Sequence, residues 1–208
     1  MYVPRLFERS DPDELHAFMA RHSFALLCST GPDGEPFASH LPLLFDRQPA
    51  PGVLVGHMAR ANPQWQHADG RPVLAVFSGP HAYVSPAWYG ADEVVPTWNY
   101  AAVHATGVFR ATDEPAALLE IVRRSVAAYE AGRADPWRLD PGAGYVERLL
   151  GGIVGFRVEL TRLEGKWKMS QNQPADRRAR VVEGLRARGG GDDRAVAELM
   201  EQAERRPG

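Results

Sequence analysis

Between residues 97 and 112 the chain sets aromatic and branched side chains at alternating places, from Thr97-Trp98-Asn99-Tyr100 through Val103 to Val108-Phe109. That spacing belongs to a long β-strand, and a long strand needs a sheet around it to satisfy its backbone. Further strand-like runs support this. Ser23 to Ser29 and Glu35 to Phe45 flank Gly31-Pro32-Asp33-Gly34, a turn sequence that joins them into a hairpin. Gly52 to His57, Pro72 to Ser78 and His81 to Ser85 read as three more strands. In Ile153 to Leu160, the set Val154, Phe156, Val158 and Leu160 faces a core.

Helices group at the start, middle and end. Ser10-Asp11-Pro12-Asp13-Glu14 carries a cap, a first-turn proline and carboxylates for the positive helix end, so a helix runs to about His22. Asn62-Pro63 opens a short helix carrying Trp65 and His67, and residues 113–131 form a longer one with Leu118, Leu119, Val122 and Val126 at helical spacing. Residues 136–150 are irregular and then helical. Two terminal helices, Pro174 to Arg188 and Asp192 to Arg206, flank the break at Gly189-Gly190-Gly191. Strands do not alternate with helices as in a doubly wound fold, so the class is α+β with a closed antiparallel sheet.

The 208 residues, 44% of them hydrophobic, are enough for one substantial core. The expectation is one domain over 1–188 and a helical tail over 189–208. The lone Cys28 sits in an apolar run, which implies a buried thiol and a reducing compartment. The first residues carry charges and prolines in place of a signal-peptide core, and no apolar run could span a bilayer, so a cytoplasmic protein without a membrane partner is expected. A net charge of -2 lacks the basic excess that drives nucleic-acid binding. Arg177, Arg178, Arg180, Arg186 and Arg188 are interleaved with acidic residues and read as a solvated helix face.

The dinucleotide, P-loop, zincin, CxxC and nucleophile-elbow motifs are all missing, and no histidine pair has metal-ligand spacing. No metal site and no catalytic residue is assigned. Chemistry concentrates in four polar and aromatic segments: Ser39-His40-Leu41-Pro42, residues 56–63 with His57, Arg60 and Asn62, residues 96–100 with Trp98, and residues 166–172 with Lys166, Lys168, Ser170 and Gln171. Arg60 and Asn62 lie at a strand-to-helix corner, where a guanidinium, an amide and helix N–H groups can converge on a phosphate. Lys166 and Lys168 share a strand face, as do Trp98 and Tyr100, which can stack on a planar ring. Each also has a plainer reading: surface charge for the cations, core or interface packing for the aromatics, satisfied polar residues for His40 and His57. From residues alone, the ligand is an anionic aromatic molecule of unspecified identity.

The same strings carry a likeness. Met1-Tyr2-Val3-Pro4, Ser39-His40-Leu41-Pro42-Leu43-Leu44, Gly56-His57-Met58-Ala59-Arg60-Ala61-Asn62-Pro63-Gln64-Trp65, residues 79–89, residues 95–104 and Leu163 through Asn172 resemble the PaiB-type FMN-binding negative transcriptional regulators. The resemblance spans about residues 1–185. It implies a six-stranded antiparallel Greek-key split barrel with peripheral helices, and a homodimer with two equivalent flavin sites at its interface. By analogy with related flavin barrels, Ser39, His40, Leu41 and Pro42 would border the isoalloxazine, and Arg60 with Asn62 would hold the phosphate. His57 and Trp98 belong to the same candidate set. Lys166, Lys168, Ser170 and Gln171 would close the site. The resemblance also implies a regulator or sensor with promoter DNA as a partner. The alternatives are a flavin-dependent oxidoreductase acting on a small molecule and, from fold analogy, a haem-handling barrel.

Overall fold

The fold is taken from a computed structural model that describes residues 1–140, 142 and 144–205, the last two by backbone alone. Its strands are β1 (Glu8–Arg9), β2 (Phe24–Thr30), β3 (Pro36–Pro42), β4 (Leu44–Asp46), β5 (Val53–Ala59), β6 (Pro72–Val84), β7 (Thr97–Thr112) and β8 (Ile153–Lys168). They form one sheet in the order β3-β2-β6-β7-β8-β5-β4, with β1 pairing on β8. The helices are α1 (Pro12–Arg21), α2 (Gln64–Ala68), α3 (Pro115–Glu130), α4 (Gly144–Gly151), α5 (Ala175–Arg188) and α6 (Asp193–Arg205). The expected helix end at Arg206 lies outside the described residues. Among the described residues no helix is long and apolar enough to cross a membrane.

The sheet has eight strands, which corrects the expected six. The two additions, β1 with 2 residues and β4 with 3, are too short to show a period-2 pattern in sequence. Four expectations about single elements also change. Residues 72–78 and 81–85 form one strand, β6, rather than two. Its buried positions switch from Val73, Ala75 and Phe77 to Ala82 and Val84 across Gly79-Pro80, a phase shift that reads as a break in sequence. The run Glu35 to Phe45 divides instead into β3 and β4. The last strand extends to Lys168. Cys28 is half-buried, not buried, because it lies on the more open face of β2.

The chain divides into two compact units, one of Met1–Phe18, Ser78–Val103 and the described residues from Glu164 onward, the other of Met19–Phe77 and His104–Leu163. In the second unit, Gly34 adopts φ 84° in the turn joining β2 to β3, and the hairpin register pairs Leu26 with His40 and Leu27 with Ser39. Phe109 and Phe156, fully buried, stack with ring centroids 4.8 Å apart. The Glu114 carboxylate accepts from the Ala117 N–H at 2.7 Å and starts α3 just ahead of Pro115. Leu118 and Ile121 of that helix sit where a Cβ on Gly155 would stand, at 2.9 and 2.8 Å.

Glycine also allows close packing in the first unit. A Cβ on Gly79 would lie 2.5 Å from the Phe18 ring, and one on Gly184 would lie 2.5 Å from Trp88. Phe18 packs on Trp167 with ring centroids 4.7 Å apart. Helix α5 ends at Gly189, at φ 60°, and packs on α6 through buried Val181, Leu185, Val196 and Met200.

Gly107 of β7 has the least room of these positions to yield, since its added Cβ would lie 2.4 Å from the backbone oxygen of Glu159. Gly107→Ala should destabilise the protein by about 1–3 kcal/mol. A urea melt would read this as a lower midpoint, and an unchanged midpoint would contradict the close approach.

Candidate functional site

Seven of the twelve sequence candidates fall in the second unit. Alternation along β3 turns Ser39 and Leu41 one way and His40 the other. His40 is exposed and stacks on Phe24 at 5.9 Å. Pro42 is half-buried, and its carbonyl oxygen lies 3.2 Å from where a Gly56 Cβ would stand. The corner after β5 is hydrogen-bonded throughout. The Asn62 N–H donates to Ala59 O at 2.9 Å, and the Asn62 Oδ1 accepts from the Gln64 N–H at 3.0 Å. Asn62 Nδ2 then donates to Ser39 Oγ at 2.8 Å, which brings two of the four polar segments together.

Arg60 is exposed, but two faces of its guanidinium are already committed. Nε donates to Gly151 O at 2.8 Å and Nη2 to Ile153 O at 3.0 Å. Its backbone N–H donates to Gly152 O at 2.9 Å, and its carbonyl accepts from Trp65 Nε1 at 3.1 Å. Arg60 therefore braces the corner against the C-terminal end of α4, where a cation complements the helix dipole. Among the described residues Nη1 makes no hydrogen bond, so the outer edge of the fork is still able to donate to an anion.

His57 stands opposite Gly155 of β8, with a buried Nδ1 that has no hydrogen-bond partner among the described residues. Burial pulls its pKa below the ordinary 6.5. Among the described residues no hydrogen bond joins it to Ser39, Arg60 or Asn62.

The remaining five candidates lie in the first unit. Lys166 is 7% exposed, donates to Tyr2 O at 3.0 Å, and sits 5.5 and 5.2 Å from the ring centroids of Tyr2 and Tyr100. Lys168 donates to Trp98 O at 3.0 Å and to Thr97 Oγ1. Burial, and then the charge of Lys166, lower the Lys168 pKa. Neither ammonium has a carboxylate partner among the described residues. Trp98 is 54% exposed, with Tyr83 edge-on at 6.0 Å and His81 at 6.2 Å. Ser170, at φ 60°, donates from its hydroxyl to Asn99 Oδ1 at 3.1 Å, and Gln171 bonds Trp167 O and Met169 N, both at 2.6 Å. Those two side chains hold the end of β8 in shape.

Sequence reasoning missed Gln64 as a site-forming residue. It is fully buried, and its Nε2 reaches Leu27 O at 2.9 Å, Ser29 Oγ at 3.0 Å and Phe37 O at 3.4 Å. Glutamine is ordinarily a surface residue, so only its place directly after Asn62-Pro63 hinted at this.

The architecture defines a class, the antiparallel split barrel with peripheral helices. Similar solved structures include the flavocytochrome Anf3 of Azotobacter vinelandii (TM-score 0.58, 15% identity, 80% of this chain and 72% of that one). Another is the FAD and haem binding protein of Mycobacterium smegmatis (TM-score 0.57, 15% identity, 88% and 80%). The family model described as "Putative FMN-binding domain" matches residues 1–162, and the chain belongs to that family. Among its relatives, the "Protease synthase and sporulation protein PAI 2" of Bacillus subtilis is 37% identical over 97% of each chain. An uncharacterised protein of Aspergillus fumigatus is 34% identical over 71% of this chain and 75% of its own.

The lowered pKa of His57 has a stability consequence. Above pH 6.5, folded and unfolded chains both carry it neutral. As pH falls from 6.5 through the lower folded value, the unfolded chain takes up the proton first and the folded state loses stability. His57→Gln should therefore flatten the decline in melting temperature as pH falls below 6.5. An identical decline in both proteins would remove His57 as its cause.

Proposed function

We propose that this FMN-binding split-barrel protein works as a cytoplasmic homodimer, a regulator or flavin-linked sensor of the PaiB type. The Asn62–Ser39 hydrogen bond carries the reading. It gathers a hydroxyl, a carboxamide and, two residues back along the chain, the open edge of the Arg60 guanidinium at one corner. That donor set fits a phosphate on a polyhydroxylated chain, as in FMN. Ser39, Arg60 and Asn62 would hold that part of the cofactor, with the β3 segment His40-Leu41-Pro42 beside it. His57, on the strand that leads into the corner, has its pKa lowered by burial. The first unit, taken by itself, carries an exposed Trp98 ring and a cationic strip of Lys166 and Lys168 that has no carboxylate partner among the described residues. Bound FMN would supply one- and two-electron redox chemistry. The PAI 2 relative, whose match covers 97% of each chain, supports a reading of the PaiB type.

Support for a dimer comes from one face of the β3-β2-β6 part of the sheet. Opposed residues share a face, so Phe24 and Pro42, Leu26 with His40 and Val76, and Cys28 with Ala38 and Leu74 lie together. Phe24 is 68% exposed there, and β3 ends the sheet. An apolar face bordered by an unpaired strand edge suits a closed two-fold association. Promoter DNA is the partner that a repressor of this type implies. Arginines of α5 are engaged elsewhere: Arg180 with Asp176 and Tyr89 O, Arg186 with Glu201, Arg188 with Asp193. We therefore assign the regulatory output to a ligand-dependent dimer surface rather than to α5.

An absorbance and fluorescence titration with FMN should saturate, and Arg60→Ala should raise the Kd by about tenfold or more, the range for a charged hydrogen bond. Riboflavin, lacking the phosphate, should bind both proteins alike. If the wild type fails to bind FMN, the reading is lost. Sedimentation should give a dimer at micromolar concentration, and Phe24→Asp should shift it towards monomer. A monomeric wild type would contradict the assigned interface.

A further inference from the structure

Helix α2 has only 5 residues, far short of what holds a helix together in isolation. Its place on the second unit must come from tertiary contacts, and one of these is polar and wholly buried. The Gln64 side chain, at 0% exposure, donates to Leu27 O on β2 and Phe37 O on β3, and also to Ser29 Oγ. Leu27 and Ser29 stand on one strand of the hairpin and Phe37 on the other, opposite Ser29. One carboxamide thus grips both strands. Its Oε1 is buried with no donor among the described residues, so the amide is oriented by its N–H edge.

The backbone of the same residue completes a second link. Gln64 N–H donates to Asn62 Oδ1, and Asn62 Nδ2 donates to Ser39 Oγ on β3. The Asn62 carboxamide is therefore held at both ends, by the residue anchored in the hairpin and by the hairpin itself. Removing the buried anchor would leave Asn62 and Ser39 chemically intact but free to lose register with each other.

We infer that Gln64 is the positioning residue of the cofactor corner, locking Asn62 and Ser39 into one donor arrangement without touching the ligand. This rests on the reading above that Asn62 and Ser39 hold FMN. Gln64 acts through Asn62, so the two residues behave as one unit in binding. A residue that merely stabilised the fold would contribute independently.

The test is a double-mutant cycle on the full chain, with FMN Kd and the visible circular dichroism of the bound flavin as readouts. Gln64→Leu keeps the volume and removes the donors. It should weaken FMN about tenfold and change the flavin band, while far-ultraviolet dichroism and cooperative melting persist. Asn62→Ala should weaken binding similarly, and the double variant should be no weaker than the poorer single. Unchanged affinity in Gln64→Leu, or fold-changes that multiply in the double variant, would overturn the inference. If Gln64→Leu does not fold, Ser29→Ala removes one acceptor of the grip with little disturbance. That variant should weaken FMN about two- to threefold, and an unaltered Kd with an unaltered flavin band would overturn the proposal. Failure of the wild type to bind FMN is a separate outcome, which takes down the cofactor reading on which the inference stands.

Discussion

A helix of 5 residues has no stability of its own, so the buried amide of Gln64 is the contact on which the candidate site depends. Its hydrogen bonds to Leu27 O, Ser29 Oγ and Phe37 O lie in a dry setting, where an unmade bond would be expensive and a made one is correspondingly directional. From that anchor the order passes outward. Asn62 is oriented by Gln64 and by Ser39, and the chain just before it is braced by Arg60 against Gly151, Gly152 and Ile153. The corner can present polar groups outward because Asn62 and Arg60 are held from within by Gln64, Gly151 and Ile153.

The first unit follows a different rule. Rings there occupy places that Cβ atoms would have filled, Phe18 over Gly79 and Trp88 over Gly184. Packing of this kind fixes α1 and α5 by shape. Between them, Asn99 and Ser170 satisfy each other in the interior, with Met200 accepting a further bond from Asn99 at 3.3 Å. Arg188 serves the same end: it bonds Asp193, donates to Tyr83 O and lies 4.9 Å from the Trp88 ring centroid. The mixed-charge helix thus uses its cations to build structure. Lys166 and Lys168 are the exception, two like charges with aromatic rings and carbonyls, but no acid among the described residues, for company.

Much of the fold was legible because local chemistry and the final structure agree. The turn at Gly31-Pro32-Asp33-Gly34, the Glu114-Pro115 helix start, the alternation of residues 153–160 and the Gly189 stop all appear where their residue types place them. What escaped was decided at a distance. Two very short strands exist only because a neighbour offers hydrogen bonds, and Gly79-Pro80 looks like a break until the Phe18 ring is seen against it. Within the site, Asn62 and Ser39 stood out as polar residues in otherwise apolar segments, although 23 positions separate them. Gln64 did not stand out, because burial of a glutamine depends on acceptors from two other strands.

By itself the amino-acid sequence determined the types of the longer elements, the α+β class and the family. Those follow from periodicity, from backbone preferences of glycine and proline, and from long ordered strings that tolerate little chance agreement. Tertiary structure alone decided which polar groups meet: Asn62 with Ser39, Gln64 with the β2–β3 hairpin, Arg60 with the end of α4. The physical reason is that hydrogen bonds act over about 3 Å, whereas their partners are chosen by how the sheet folds the chain back on itself. A residue's chemistry is local, but its role is set by the surroundings that burial gives it.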